Sequence, residues 1–569
     1  MNGTERPTDW KAVDWQQANH NVTRLRQRIF RASQEGNLKK VRSLQKLMLR
    51  SYSNRVLSVR RVTQDNSGSN TAGVDKILVK TPRSRGWLVD HLATLTPWKA
   101  KPAKRVYIPK ANGHLRPLGI PVIFDRAVQA LVKNALEPFW EARFEASSYG
   151  FRPGRGCHDA ICRIRTLACG HSRKQWVLDA DIKGAFDNIS HDCLLAQLEG
   201  FPARELIRQW LKAGYVEMGR FHPTETGTPQ GGVISPLLAN IALHGMEEAL
   251  RVPPNKHNPP PSRAVVRYAD DFVVFCETKA DAEEAKQVLS AWLAERGLTF
   301  SEEKTRIVAL TEGFDFLSFH IRRYEVSNRK SGRALRTKPS KVAVQKLRDH
   351  LRQEWRAFRG ANPEVICKKL NPRIKGWANY FRYSGASATF QHLDWWMGLR
   401  ALKHLHYSHP SKTLKWYRQK GYWGRLNPKR GDNRVFGNHS KGCYLHKFGW
   451  FRVGRHILVK GRNSPDDPSL RDYWAQRRKA RVANLPKGQK QVLAQRQEGL
   501  CPVCGASLLE ESTAPWESAV EFLEVHHKRP RSQGGDESWN NLQLVHLYCH
   551  QQLHAEPISK DERDAQETA

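Results

Sequence analysis

The sequence predicts a multidomain α+β protein, and three observations predict it. Its 569 residues exceed what one hydrophobic core serves, so length alone argues for three to five domains. Short apolar runs of strand type alternate with stretches whose apolar residues recur at helical spacing. Near the C-terminus a Cys/His-rich cluster departs from the composition of everything before it. Lys and Arg number 94 against 55 Asp and Glu, a formal net charge of +39. Solubility requires far less, so the surplus predicts a polyanionic partner, nucleic acid ahead of an acidic membrane. An apolar fraction of 39% with 18 Trp and 21 Phe excludes wholesale disorder. No stretch approaches the roughly 18 uninterrupted apolar residues of a membrane span, and Met1 to Trp10 lacks the apolar core of a secretory signal. Seven of the ten Cys are scattered and three sit together near the C-terminus, which suggests a reducing compartment and one metal site.

The elements follow in order. Residues 20–60 are helical and basic, with Leu38, Val41, Leu44 and Met48 on one stripe, and the turn-rich segment 64–73 ends them. A strand at 105–110 enters a hairpin turn at 111–114 and returns from Leu115. A helix then carries Val128, Leu131, Val132, Ala135, Leu136 and Phe139 on one face. Apolar strand runs recur at Trp176–Leu178, Val265–Tyr268 and Phe272–Phe275. Three helices are expected between Ser340 and Leu405, and residues 461–470 read as a linker to a module that begins near residue 490.

The chemistry concentrates first at Tyr268-Ala-Asp-Asp271, two adjacent carboxylates at a turn between two apolar strands. Like charges so placed cost energy unless cations neutralise them. Two divalent ions roughly 3.5–4 Å apart, clamping attacking and leaving oxygens, are the natural reason. Such a site needs a further carboxylate, and the strand 177–181 offers Asp181 or Asp179, which share one face.

Residues 105–320 resemble the fingers and palm of reverse transcriptases of the group II intron-encoded type. The segments 105–120, Ser148-Tyr-Gly-Phe-Arg-Pro-Gly-Arg155, 180–189, Gly227-Thr-Pro-Gln-Gly-Gly232, 268–271, 297–305 and 313–318 stand in the family's order. The resemblance selects Asp181 to join Asp270 and Asp271 as the catalytic, Mg²⁺-holding triad. It implies that Phe186 floors the sugar pocket, that Lys110 and Arg116 grip the triphosphate, and that Gln230 contacts the nucleotide. Residues 66–75 resemble the N-terminal extension of the intron-type enzymes, and Leu370-Asn-Pro-Arg-Ile-Lys-Gly-Trp377 resembles the maturase segment, domain X, which forms an α-helical thumb. Arg373, Lys375 and Arg382 beside its apolar stripe suit a surface that grips a nucleic-acid backbone.

From 401 to 480, 19 Lys and Arg stand against 4 acidic residues, a surplus of 15, interleaved with Trp416, Tyr417, Tyr422, Trp423, Phe448, Trp450 and Tyr473. Cations that neutralise phosphate and rings that stack on bases suit DNA contact, and the family's DNA-binding region lies here. Cys501-Pro-Val-Cys504 and His546-Leu-Tyr-Cys549 have the spacing of a closed structural Zn²⁺ site, with His550 or His554 as the alternative to His546. Interleaved with it, Glu524-Val-His-His527, Gly534-Gly535, Asn541 and the His550/His554 pair resemble the HNH nuclease motif, a ββα-metal fold. That resemblance implies His527 as general base, His526, His550 and His554 as ligands of a catalytic Mg²⁺ or Mn²⁺, Asn541 as the brace of the base's loop, and Glu524 in support.

The chain thus resembles the bacterial group II intron-encoded proteins, reverse transcriptase and maturase with a C-terminal HNH endonuclease. The implied domains are an N-terminal extension to 104, fingers and palm 105–330, thumb 331–405, basic connector 406–485 and HNH module 486–569. Implied partners are the chain's own intron RNA in a lariat ribonucleoprotein, target duplex DNA and dNTPs, with a homodimer left open. The implied setting is the bacterial cytoplasm, on the nucleoid when DNA is bound. Implied function is splicing of the intron, reverse insertion into DNA, nicking of the other strand and priming of cDNA. A binding-only splicing cofactor would not need both carboxylate and His sets; a free-standing nuclease would not need the maturase-like thumb.

Overall fold

A computed structural model describes residues 7–94, 98–109, 115–252, 263–327, 330–485, 488–509 and 523–554. Lys110 and the hairpin turn 111–114 lie outside the described residues. Three capped helices open the fold: Trp15–Gln34, Leu38–Arg50 and Tyr52–Thr63, whose first-turn amides are accepted by Asp14, Asn37 and Ser51. Val41, Leu44 and Met48 are buried as the stripe predicts, whereas Leu38 at the helix start is 44% exposed. These helices pack on Ile123–Glu141, which is buried along nearly its whole length. Arg126 of that helix donates to the carbonyls of Gly68 and Thr71 (2.9 and 2.6 Å) and so pins the turn-rich segment.

The centre is a four-stranded antiparallel sheet in the order Ala264–Tyr268, Asp271–Cys276, Trp176–Asp181, Arg306–Ala309. Away from their carboxylates the two middle strands are apolar, because the sheet is covered on both faces, by Lys279–Ala294 among others. A second sheet pairs Ala103–Pro109 with Leu115–Ile120 antiparallel and adds Tyr215–Glu217 in parallel.

Three helices, Lys341–Ala357, Pro363–Phe381 and Ser387–Ser408, form the next unit around Leu351, Ile366, Leu370, Ile374, Phe381, Phe390 and Leu393. The basic connector does not stand apart from it. Tyr417, Trp423 and Phe448 are buried in that same core beside Phe436, which corrects the expectation that these three rings stack on bases. Arg382 donates through Nε to the carbonyl of Arg452 (3.1 Å), which ties the connector to the end of the helix Pro363–Phe381. Arg373 pairs with Glu354 (2.8 Å).

Residues 461–470 are not a linker. Arg26 makes a bidentate pair with Asp466 (2.8 and 2.7 Å), Arg155 donates to the carbonyl of Gly461 (2.7 Å), and Trp474 donates to that of Ser464 (2.8 Å). The polar residues that suggested a solvated tether are instead the partners of buried arginines. The C-terminal module is a hairpin, Leu523–His527 with Leu542–His546, followed by the helix Leu547–Leu553. It shares a hydrophobic core with Trp10, which precedes the first helix, and with Trp15, Val56 and Val59 of the N-terminal helices.

Candidate active sites and metal centre

Strand register places the first site. Asp181 lies directly across from Asp271, while Asp179, one pleat back, is across from Val273 and Arg306. Asp270 occupies the turn between the paired residues Tyr268 and Asp271. Ala269 holds a left-handed backbone (φ 59°), tolerable for a small side chain when the surroundings enforce it. Gly150 enforces it: a Cβ there would sit 2.4 Å from the Ala269 nitrogen. Behind the turn, buried Arg267 donates to Asn240 Oδ1 (2.9 Å) and to the Ala269 carbonyl (3.3 Å), and Asn240 donates to the Gly150 carbonyl (2.8 Å).

Burial, then the charges of Asp270 and Asp181, pushes the Asp271 carboxyl up to about 7. Burial and Asp181 raise Asp270 as well. Hard carboxylate oxygens that resist ionising together are the donor set that divalent Mg²⁺ would satisfy. One cation is already close: the Lys304 ammonium contacts Asp181 Oδ2. Asp179 is pushed up to about 6, chiefly by burial, and faces Arg306 at 3.6 Å.

Beside the carboxylates, Arg116 donates to Gln230 Oε1 (3.0 Å) and Gln230 donates to Asp187 Oδ2 (3.1 Å). Gly119 donates to the Gln230 carbonyl (2.7 Å) and Thr228 to that of Phe186 (2.6 Å). Arg116, Gln230 and Phe186 are thus tied into one wall. Asp187 completes the tie; its position in the 180–189 block was the only sign of it.

Cys501, Cys504, His546 and Cys549 are all buried, with ligand atoms within 4.8 Å of one another. His546 Nδ1 is 3.5 Å from Cys504 Sγ and 3.9 Å from Cys549 Sγ. Metal bonds of about 2.0–2.3 Å give a tetrahedron with edges of about 3.3–3.8 Å, so the donor set fits Zn²⁺. His546 Nε2 is 3.1 Å from the Ser507 carbonyl, which leaves Nδ1 for the cluster.

His526, His550 and His554 form a separate group. Burial and the neighbouring imidazoles lower His526, and burial and His554 lower His550, which favours in these two rings the neutral form that ligates a divalent ion. His554 is the residue that ends the helix carrying His550, with their Nε2 atoms 3.2 Å apart. Asn541 closes the loop 528–541: its Oδ1 accepts from the Arg529 amide (2.8 Å) and its Nδ2 donates to the carbonyls of Arg529 and Asp536 (3.1 and 2.8 Å). His527 Nε2 lies 3.0 Å from Glu537, a partner no motif spacing had pointed to. Glu524 faces Val545 across the hairpin.

The family models that match are Reverse transcriptase (RNA-dependent DNA polymerase) over residues 108–321, N-terminal domain of reverse transcriptase over 10–92, Group II intron, maturase-specific domain over 344–423, and HNH endonuclease over 501–556. Protein YkfC of Escherichia coli strain K12 is 36% identical over 303 residues, 46% of this chain and 78% of that protein. The group II intron-encoded protein LtrA of Lactococcus lactis subsp. cremoris is 29% identical over 435 residues, 60% of this chain and 72% of its own. An uncharacterized 91 kDa protein in the cob intron of Schizosaccharomyces pombe is 30% identical over 353 residues, 50% of this chain and 43% of its own.

Proposed function

The chain belongs to the group II intron-encoded reverse transcriptases with a maturase domain and an HNH endonuclease domain, and we propose that its activities act in sequence on one intron RNA and one DNA target. It is an RNA-directed DNA polymerase and a nuclease in one polypeptide, and its maturase domain binds intron RNA. The register of Asp181 against Asp271 carries the polymerase reading. Asp181, Asp270 and Asp271 would hold two Mg²⁺, which when bound stabilise the attacking and leaving oxygens of the displacement. Arg116, with Lys110, draws the triphosphate of a dNTP toward them, Gln230 contacts the nucleotide, and Phe186 excludes a sugar with a 2′ hydroxyl.

At the nuclease site His526, His550 and His554 would hold one divalent ion, Mg²⁺ or Mn²⁺, which shields the scissile phosphate. Glu537 accepts from His527 Nε2, so Nδ1 keeps the lone pair that removes a proton from water. Asn541 keeps the loop that leads from His527 and carries Glu537. The Cys501–Cys549 centre is structural. The intron RNA inserts into one strand of duplex DNA, this site nicks the other, and the new 3′ hydroxyl primes cDNA synthesis in the bacterial cytoplasm. Among the described residues no helix is long and apolar enough to cross a membrane.

Asp271→Ala should slow primer extension by at least about 100- to 1,000-fold and leave nicking intact. His527→Ala should remove the nick and leave extension from a supplied primer. Wild-type extension by the Asp271 variant would end the polymerase assignment. Sequencing the RNA that co-purifies from the native host tests the rest, since diffuse RNA without one enriched structured species would end the account of splicing and insertion.

A further inference from the structure

Arg60 belongs to the N-terminal helix Tyr52–Thr63, yet its guanidinium lies in the C-terminal module. It is 6% exposed and stacked between the Trp15 and Tyr548 rings, 4.2 and 4.1 Å from their centroids. Its Nη2 donates to Cys549 Sγ at 2.7 Å. A buried guanidinium ordinarily has a carboxylate partner, because an uncompensated buried charge is costly. Among the described residues no carboxylate pairs with it; the acceptor is a sulfur of the metal centre.

The charge of that centre explains the choice. Three thiolates, one neutral imidazole and a dication sum to a single net negative charge. Arg60 supplies the matching positive charge in a dry setting. We infer that Arg60 is the outer-sphere partner of the Cys501, Cys504, His546 and Cys549 centre, so that metal loading of the nuclease module seats it on the polymerase's N-terminal helices. The four donors come from two segments some forty residues apart, and a bound ion is what gathers them. Without the ion, the Cys549 thiol loses the charge that matches Arg60. Other contacts cross the same seam: Asn19 Nδ2 donates to the Cys504 carbonyl (3.1 Å), and Gln552 donates to those of Trp10 and Lys11 (2.9 and 3.0 Å). This inference rests on the cysteine centre alone and stands whether or not the His527 site nicks DNA.

The full-length protein loaded with Zn²⁺, and separately with Co²⁺, tests it. Removing a partner of this kind typically weakens metal binding about 10- to 100-fold. Arg60→Met should therefore hasten Zn²⁺ transfer to a chromophoric chelator by that order and shift the thiolate-to-Co²⁺ charge-transfer band. Arg60→Lys, which keeps the charge but not the planar fork, should fall between. In the wild-type protein, chelation should raise hydrogen exchange in Trp15–Gln34 and Tyr52–Thr63 while the strand Trp176–Asp181 stays protected. Release from Arg60→Met at the wild-type rate, or N-terminal helices equally protected after chelation, would overturn the inference. Should Arg60→Met not fold, the wild-type exchange measurement decides the coupling.

Discussion

Behind the Tyr268–Asp271 turn, Glu145 is buried with its Oε2 3.0 Å from His244 Nδ1 and 3.9 Å from Arg267 Nη2, while its Oε1 accepts from the Gly245 amide (2.6 Å). Burial alone would push this carboxyl up; His244 and the Arg267 guanidinium outweigh it and hold it at about 2. A carboxylate depressed in the folded state stabilises above its unfolded value of 4.5, and that contribution is lost as pH falls toward 2. Glu145→Gln leaves Arg267 buried without its countercharge, which costs about 3–5 kcal/mol. Denaturant unfolding should show that loss at pH 7, and the gap to wild type should narrow as pH drops below 4.5. A gap that is constant with pH would mean the charge is irrelevant. Asp270 and Asp271 were legible in the sequence because adjacent carboxylates between apolar strands are costly without cations. Glu145, Asn240, Arg267 and Glu537 were not singled out, since each acts through partners that share no spacing with it.

The helices between Lys341 and Ser408 were visible because apolar residues three and four apart declare a buried face without reference to anything distant. The connector gave no such sign. Its basic and aromatic composition describes what it could touch outside, whereas Phe448 packs inward on Trp377 and Phe390, 5.6 and 6.3 Å between centroids. The Phe448 and Gly449 amides also both donate to Asp394 (2.6 and 2.8 Å). Long-range pairings of this kind leave no local pattern, so a segment read as a DNA surface proves to be partly the floor of the three-helix unit. Lys447 and Arg477 are taken up by Asp432 and Asp159, but Lys412, Lys415, Arg418 and Lys420 are exposed, and on the proposed reading they rather than Phe448 should set the salt dependence of DNA binding. Phe448→Ala should cost about 3–5 kcal/mol in a melt followed by tryptophan fluorescence, with the slope of log affinity against log salt unchanged. A reduced slope would return this ring to the DNA surface.

A chain with a net charge of +39 repels itself, and compactness without a polyanion needs counteracting contacts. Several lie where the sequence suggested a tether. Arg26 of the first helix meets Asp466 and also Glu137 (2.9 Å), with all three side chains largely buried, so one cluster joins the N-terminal helices, the Ile123–Glu141 helix and the segment before the nuclease module. Asp466→Ala removes the bidentate half of that cluster, and losing one member of a buried pair costs about 3–5 kcal/mol. The cost should appear as local opening of residues 461–470, so trypsin should cut the variant after the exposed Arg462 while the wild type resists. Ionic strength separates the two contributions. Surface repulsion fades once the Debye length falls to about 10 Å near 0.1 M salt, whereas a buried ion pair is screened much less. Cleavage of the variant should therefore slow as salt rises from 10 to 300 mM, roughly that range, because less repulsion remains to open the segment, while the wild-type rate stays low throughout. Equal cleavage of the two proteins at low salt would show that the Arg26–Asp466 pair does not hold the segment.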